Sequence, residues 1–106
     1  MLTFIESPLF SDHVHDYLDD DEYAEFQFHV AANPEAGKLV RGSGGVRKIR
    51  WSRPGTGKSG GVRVIYFART HRGEIWLLTI YSKSAKDNIP GHMLKALKQE
   101  FVDEAK

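Results

Sequence analysis

The spacing of apolar positions changes character along the chain, and each change marks an element. Residues 2–5, Leu-Thr-Phe-Ile, are a β-prone run that Ser7-Pro8 ends. Pro8 suits a first helical turn, and Leu9, Phe10, Val14, Tyr17 and Leu18 follow at helical spacing. Asp19-Asp20-Asp21-Glu22 then offers a cap and an acidic first turn to a second helix. Tyr23, Phe26, Val30 and Ala31 give that helix its apolar stripe, and Asn33-Pro34 stops it. The pair predicts a hairpin of two antiparallel amphipathic helices whose acids form the solvated face.

Residues 35–45 contain Gly42-Ser43-Gly44-Gly45 and read as loop. Three strands follow, at 46–51, 62–68 and 75–81, the last apolar on both faces and so predicted to be central. The connections, 52–61 and a turn near His71-Arg72-Gly73, are too short for parallel crossovers, so the three strands pair antiparallel. A helix over 90–104 closes the chain, with Met93, Leu94, Leu97, Phe101 and Val102 on its buried side. The order β-α-α-β-β-β-α predicts an α+β fold: a twisted antiparallel β-sheet with an N-terminal helical hairpin and a C-terminal helix.

Composition adds bounds. A chain of 106 residues with 41% hydrophobic and 27% charged positions is expected to form one soluble domain, spanning 1–106. No apolar run approaches the ~20 residues of a membrane span. The first ten residues lack the features of a signal peptide, so a cytoplasmic protein with no membrane partner is expected. With no cysteine, disulfides and thiolate metal sites are excluded.

Charge changes the picture more. The net charge of +1 hides a sharp division. Before Lys38 there are nine Asp/Glu and no Lys/Arg; from Lys38 to Arg72 there are ten Lys/Arg and no Asp/Glu. A cationic stretch that also reads as strand holds positive charge on a rigid surface, which attracts nucleic-acid backbone. An exposed sheet edge needs one or two lysines against aggregation, not seven arginines and three lysines.

The segment Pro54-Gly55-Thr56-Gly57-Lys58-Ser59 imitates a phosphate-binding loop, but Ser52 stands where the pattern needs a glycine, and a strand rather than a helix follows. It is read as a hairpin loop with a basic tip. The five histidines show no metal-ligand spacing; His71 and His92 retain a possible acid–base role. On the basic hairpin, alternation sends Lys48 and Arg50 to one face and Ile49 and Trp51 to the other, and Arg63 is able to join the first pair from the partner strand. Of the aromatics Trp51, Tyr66, Trp76 and Tyr81, which are able to stack on bases, Tyr81 is expected to be the exposed one.

The runs Gly44-Gly45-Val46-Arg47-Lys48-Ile49-Arg50, Gly60-Gly61-Val62-Arg63-Val64-Ile65-Tyr66 and Leu78-Thr79-Ile80-Tyr81-Ser82-Lys83 resemble the RelE/HigB toxins of bacterial type II toxin–antitoxin modules, most closely the HigB branch. The resemblance implies a small microbial-RNase-like fold and a ribosome-dependent mRNA interferase. Such an enzyme cuts mRNA in the ribosomal A site, without metal or cofactor, by attack of a ribose 2′-OH on its own phosphate. Transferred to this sequence, the resemblance makes Lys48, Arg50, Arg63, Lys83 and Tyr81 the catalytic candidates, with Arg63 clamping the phosphate. Lys38, Arg41, Arg47, Arg53, Lys58 and Arg69 become candidates for gripping RNA or the ribosome, with Arg72 beside them. RelE-type enzymes carry a tyrosine after the last strand, whereas Ser84-Ala85-Lys86-Asp87-Asn88 supplies none. The acid–base pair therefore stays open among Lys48, Tyr81, Lys83, a histidine and ribosomal groups.

The implied partners are the ribosome with its mRNA and ribosomal RNA, and a cognate HigA-like helix-turn-helix antitoxin, through which alone operator DNA is reached. A ParE-like gyrase poison and a non-catalytic nucleic-acid-binding module of the same fold are the competing readings.

Overall fold

The computed structural model describes residues 2–52, 61–83 and 88–104. One five-stranded sheet organises the chain, with strands β1 (Thr3–Glu6), β2 (Lys38–Leu39), β3 (Arg47–Trp51), β4 (Val62–Arg69) and β5 (Glu74–Ser82). Helices α1 (Pro8–Tyr17) and α2 (Asp20–Ala32) follow β1, and α3 (Gly91–Lys98) runs on into a π-helical turn, Gln99–Asp103. The strand order is β1-β5-β4-β3-β2. The α+β class and the run of elements agree with the sequence reading. β2 to β5 pair antiparallel, but β1 joins β5 in parallel, because α1 and α2 carry the chain away before it returns to the sheet. β5 is an inner strand, and the middle one is β4.

Local chemistry fixes the helix starts. The Ser7 hydroxyl accepts from the Phe10 amide at 3.0 Å and donates to the Leu78 carbonyl at 2.7 Å, so the α1 cap also bolts the helix to β5. Asp19 and Glu22 form a reciprocal capping box at the start of α2. In the second helix Tyr23, Phe26 and Val30 are buried as expected, while Ala31 is exposed.

The segment 35–45, read from sequence as loop, contains β2. Lys38 sits opposite Lys48 and Leu39 opposite Arg47 in a small hairpin. Its turn uses the left-handed conformations of Gly42, Gly44 and Gly45, and is stitched by the Ser43 hydroxyl to the Val40 carbonyl (2.6 Å) and the Val46 amide (3.0 Å). Two residues carry too little pattern to register as a strand in sequence.

Apolar side chains pack on both faces of the sheet. On one face Phe10, Val14, Phe26 and Val30 meet Ile49, Val62, Val64, Tyr66, Ile75, Leu77 and Ile80. On the other, Leu94 and Val102 meet Val46, Ile65, Leu78 and Tyr81. Met93, expected inside, is 52% exposed, while Leu97 and Phe101 are half-buried. Among the described residues no helix is long and apolar enough to cross a membrane.

A β-bulge sits in the β4–β5 ladder: Ile65 pairs with Thr79 and Tyr66 with Leu77, leaving Leu78 as the extra residue. Strict alternation along β5 groups Tyr81 with Ile75 and Leu77. The bulge reverses the phase, so Ile80 joins Ile75 and Leu77, and Tyr81 joins Leu78 on the α3 side.

Tyr66 is fully buried, and its hydroxyl accepts from the Gly37 amide at 2.8 Å and donates to the Pro34 carbonyl at 2.9 Å. Gly37 must be glycine, since a Cβ there would lie 2.9 Å from the Tyr66 ring. The Arg47 guanidinium donates to the Gly37 carbonyl at 2.8 Å from the same side. Together they pin the chain entering β2.

Tyr66→Phe leaves the buried Gly37 amide without an acceptor and is expected to lower unfolding free energy by about 1–3 kcal/mol, read from urea denaturation. Burial, with a hydrogen bond to Glu6 second, raises the pKa of Tyr23, and burial raises that of Tyr66 against the opposing Gly37 and Arg47 contacts. The folded chain thus retains phenolic protons that the unfolded chain releases above pH ~10. This contribution to stability is complete below that pH and is lost as pH rises through the folded values. Chemical denaturation on either side of pH ~10 should show a falling midpoint, and an unchanged midpoint refutes the linkage.

Candidate nucleic-acid interface

The end of the sheet that α3 leaves uncovered forms an open groove of about 880 Å³, lined by Lys38, Lys48, Arg50, Arg63, Lys83 and Asn88 with Ala36 and Ile49. Register explains the convergence. Arg50 lies directly opposite Arg63, and Arg63 directly opposite Tyr81, so one cross-strand row on three strands shares a face. Lys38 and Lys48 form the next row. Lys83 enters from the end of β5. Four strands therefore deliver five cations, and no carboxylate lines the groove among the described residues.

Arg63 is the anomaly. It is 6% exposed, on inner strand β4, with Arg50 as its opposite neighbour instead of an acid. Its Nη1 has no hydrogen-bond partner among the described residues, and neither does the buried Tyr81 hydroxyl. Such orphaned groups cost free energy unless something fills them. An anion with several acceptor oxygens does so. Burial raises the Tyr81 pKa, and the Arg63 charge opposes that rise, so the phenol stays protonated and is a hydrogen-bond donor. Lys48 is oriented by donating from Nζ to Asn88 Oδ1 at 2.7 Å, a tether across 40 positions of sequence.

The residues expected to work together divide clearly. Lys48, Arg50, Arg63 and Lys83 meet in the groove, and Tyr81 stands beside Arg63. Tyr81 is buried at 6% exposure, not exposed as expected, because the bulge turns it inward under α3. Among the RNA-gripping candidates, Lys38 lines the groove. Arg47 lies on the other face, occupied by the backbone of residues 35–37. Arg69 is at the far end of β4, roughly 20 Å from Arg63 at ~3.4 Å per residue, against Glu74 and the Trp76 ring. Arg41 and Arg72 are exposed away from the groove lining. Arg53, Lys58 and the glycine-rich hairpin tip lie outside the described residues. None of the five histidines lines the groove, which removes them from the acid–base candidates there. Sequence reasoning missed Asn88, for no motif links it to Lys48.

The model of the RelE toxin of the RelE/RelB toxin–antitoxin system matches residues 17–102 of the chain. In structure the chain is similar to a double arginine-to-alanine mutant of the Escherichia coli toxin RelE in the free state: TM-score 0.57, 18% identity, 81% of this chain and 87% of that one covered. It also matches the solution structure of the conserved hypothetical protein HP0892 from Helicobacter pylori at a TM-score of 0.45 and 15% identity, over 79% of this chain and 97% of that one. The likeness to E. coli RelE is one of fold. The family match runs from the end of α1 to the π-helical turn and contains every residue of the groove, so the chain belongs to the RelE toxin family of toxin–antitoxin systems.

Proposed function

We propose that this chain is an mRNA interferase, acting as a single domain over residues 1–106 in the cytoplasm, that cleaves translated mRNA in the ribosomal A site. The observation that carries the reading is the buried guanidinium of Arg63, its Nη1 without a partner, at the floor of a groove where the described residues contribute five cations and no carboxylate. The ribose 2′-oxygen attacks the adjacent phosphorus, the bond to the 5′-oxygen breaks, and a 2′,3′-cyclic phosphate and a free 5′-OH result. Charge builds on the phosphoryl oxygens in that transition state, where Arg63 with Lys48, Arg50 and Lys83 stabilises it. Tyr81, held protonated, fits the role of donor to a phosphoryl or leaving oxygen. The base is then a groove lysine or a ribosomal group. The five cations that line the groove repel divalent ions, which supports a reaction without metal.

The family implies an antitoxin. A HigA-like helix-turn-helix protein is the form proposed, linking the pair to operator DNA through its own DNA-binding part. Exposed Lys38 extends the groove toward RNA backbone.

Arg63→Ala is expected to reduce cleavage of ribosome-bound mRNA by about 10²–10³-fold and to relieve growth arrest. Arg63→Lys should also be impaired, since it loses the planar fork. The 5′ ends of translated transcripts, mapped by primer extension after induction, provide the measurement. Growth arrest by the wild-type chain with transcripts intact refutes the reaction.

A separate expectation concerns stability. Arg63→Met replaces a buried cation, one nitrogen of which has no partner, with an apolar chain of similar size, so the inactive variant should be more stable than wild type, by about 1–3 kcal/mol. Urea denaturation reads this directly, and a less stable variant means that Arg63 is a structural residue first.

A further inference from the structure

Helix α2 is apolar on two opposite sides. Tyr23, Phe26 and Val30 face the core, while Ala24, Phe28 and Ala32, spaced i, i+4, i+8, form a ridge on the side facing away. Phe28 is 78% exposed, the most exposed large apolar side chain among the described residues. An exposed apolar ridge of this kind marks a surface that another chain covers. Beside the ridge runs a groove of about 530 Å³ that descends to Trp51, with Glu25 and His29 on its wall. Its floor is rigid: the Trp51 ring packs edge-on to Phe26 at 5.5 Å and lies 5.3 Å from the His29 ring.

Charge decides what fits there. Asp21 and Glu25 form the row next to the ridge, both exposed, and the chain before Lys38 has no Lys or Arg to offset them. RNA is repelled. A second copy docking through the same ridge would bring these acids near their equivalents. A segment that fits must carry apolar side chains for Phe28 and Trp51 and cations for Asp21 and Glu25.

We propose that the outer face of α2 is a docking site for the antitoxin, which places a cationic amphipathic helix along Ala24, Phe28 and Ala32. The proposal rests on family membership, and needs no assumption about the reaction in the Arg63 groove.

The test titrates the full chain by calorimetry with the antitoxin encoded beside its gene, using wild type, Phe28→Asp and Glu25→Lys. Phe28 is exposed, so Phe28→Asp should fold normally, which a melting curve checks; Glu25→Lys provides a second, surface-only variant. Phe28→Asp should weaken binding by about 30-fold or more, as expected of an anchor residue. Glu25→Lys should weaken it less and reduce its salt dependence. In cells, Phe28→Asp should escape neutralisation while cleaving mRNA as wild type does when expressed alone. Unchanged affinity in both variants overturns the proposal. So does a dimer of the free chain, seen by sedimentation, that Phe28→Asp dissolves, since a second copy would then own the ridge. A wild-type chain that binds through Phe28 but cuts no mRNA removes the interferase reading and leaves the docking site standing.

Discussion

The guanidinium of Arg63 lies in an inner strand with a second cation directly across from it and one nitrogen unpaired. This charge is largely withdrawn from solvent, and the surrounding sheet must hold it there. β4 is able to do so, being hydrogen-bonded along both edges and packed on both faces. Arg63 lies among its first residues, beside the groove. Further along, Ile65 and Phe67 occupy the same face and pack with the α3 cluster. One strand thus spends part of its length on stability and part on a site that opposes it, a division common in functional centres.

The bulge at Leu78 governs what stands beside that charge. Without the extra residue, Tyr81 would turn toward the α1–α2 face and Ile80 toward the groove side. The chain lacks the tyrosine that the RelE pattern places after the last strand, but the bulge delivers one from within the strand, next to Arg63. Burial keeps that phenol protonated. A hydroxyl so placed supplies a hydrogen-bond donor where the first three strands of the groove supply only amines and guanidinium groups.

Much of this was legible in sequence, and the failures have physical causes. Strand alternation correctly paired Lys48 with Arg50 and brought Arg63 to the same face, because period two is unambiguous across β3 and β4. The same rule misplaced Tyr81, since a bulge leaves no mark in a run where Leu77 and Leu78 are both apolar. Charge density selected the region but not the members. Arg47 and Lys48 are neighbours of equal charge, yet one braces the backbone at Gly37 and the other enters the groove. The hydrogen bond from Lys48 to Asn88 joins residues 40 positions apart, a proximity that no local pattern encodes. Met93 fell outside because only part of the predicted helical stripe meets the sheet, and the π-helical turn shifts the phase before Val102.

The division of charge along the chain becomes a division in space. Most acids before Lys38 lie on α1 and α2 or cap α2, on one side of the sheet, and the groove opens on the α3 side. A polyanion approaching the molecule is therefore drawn to one side and turned away from the other, which orients encounter before contact. The same separation constrains how a partner on α2 can act. A partner docked there as proposed would leave the Arg63 groove open to small anions, and its neutralisation would work by bulk, denying entry to a confined site on a much larger particle. A segment of the partner long enough to round the edge of the sheet would meet β2, a two-residue strand with exposed Leu39 and Lys38, before reaching the groove. Free inorganic phosphate and a ribosome then become different probes of one face: the complex should still admit the first while excluding the second.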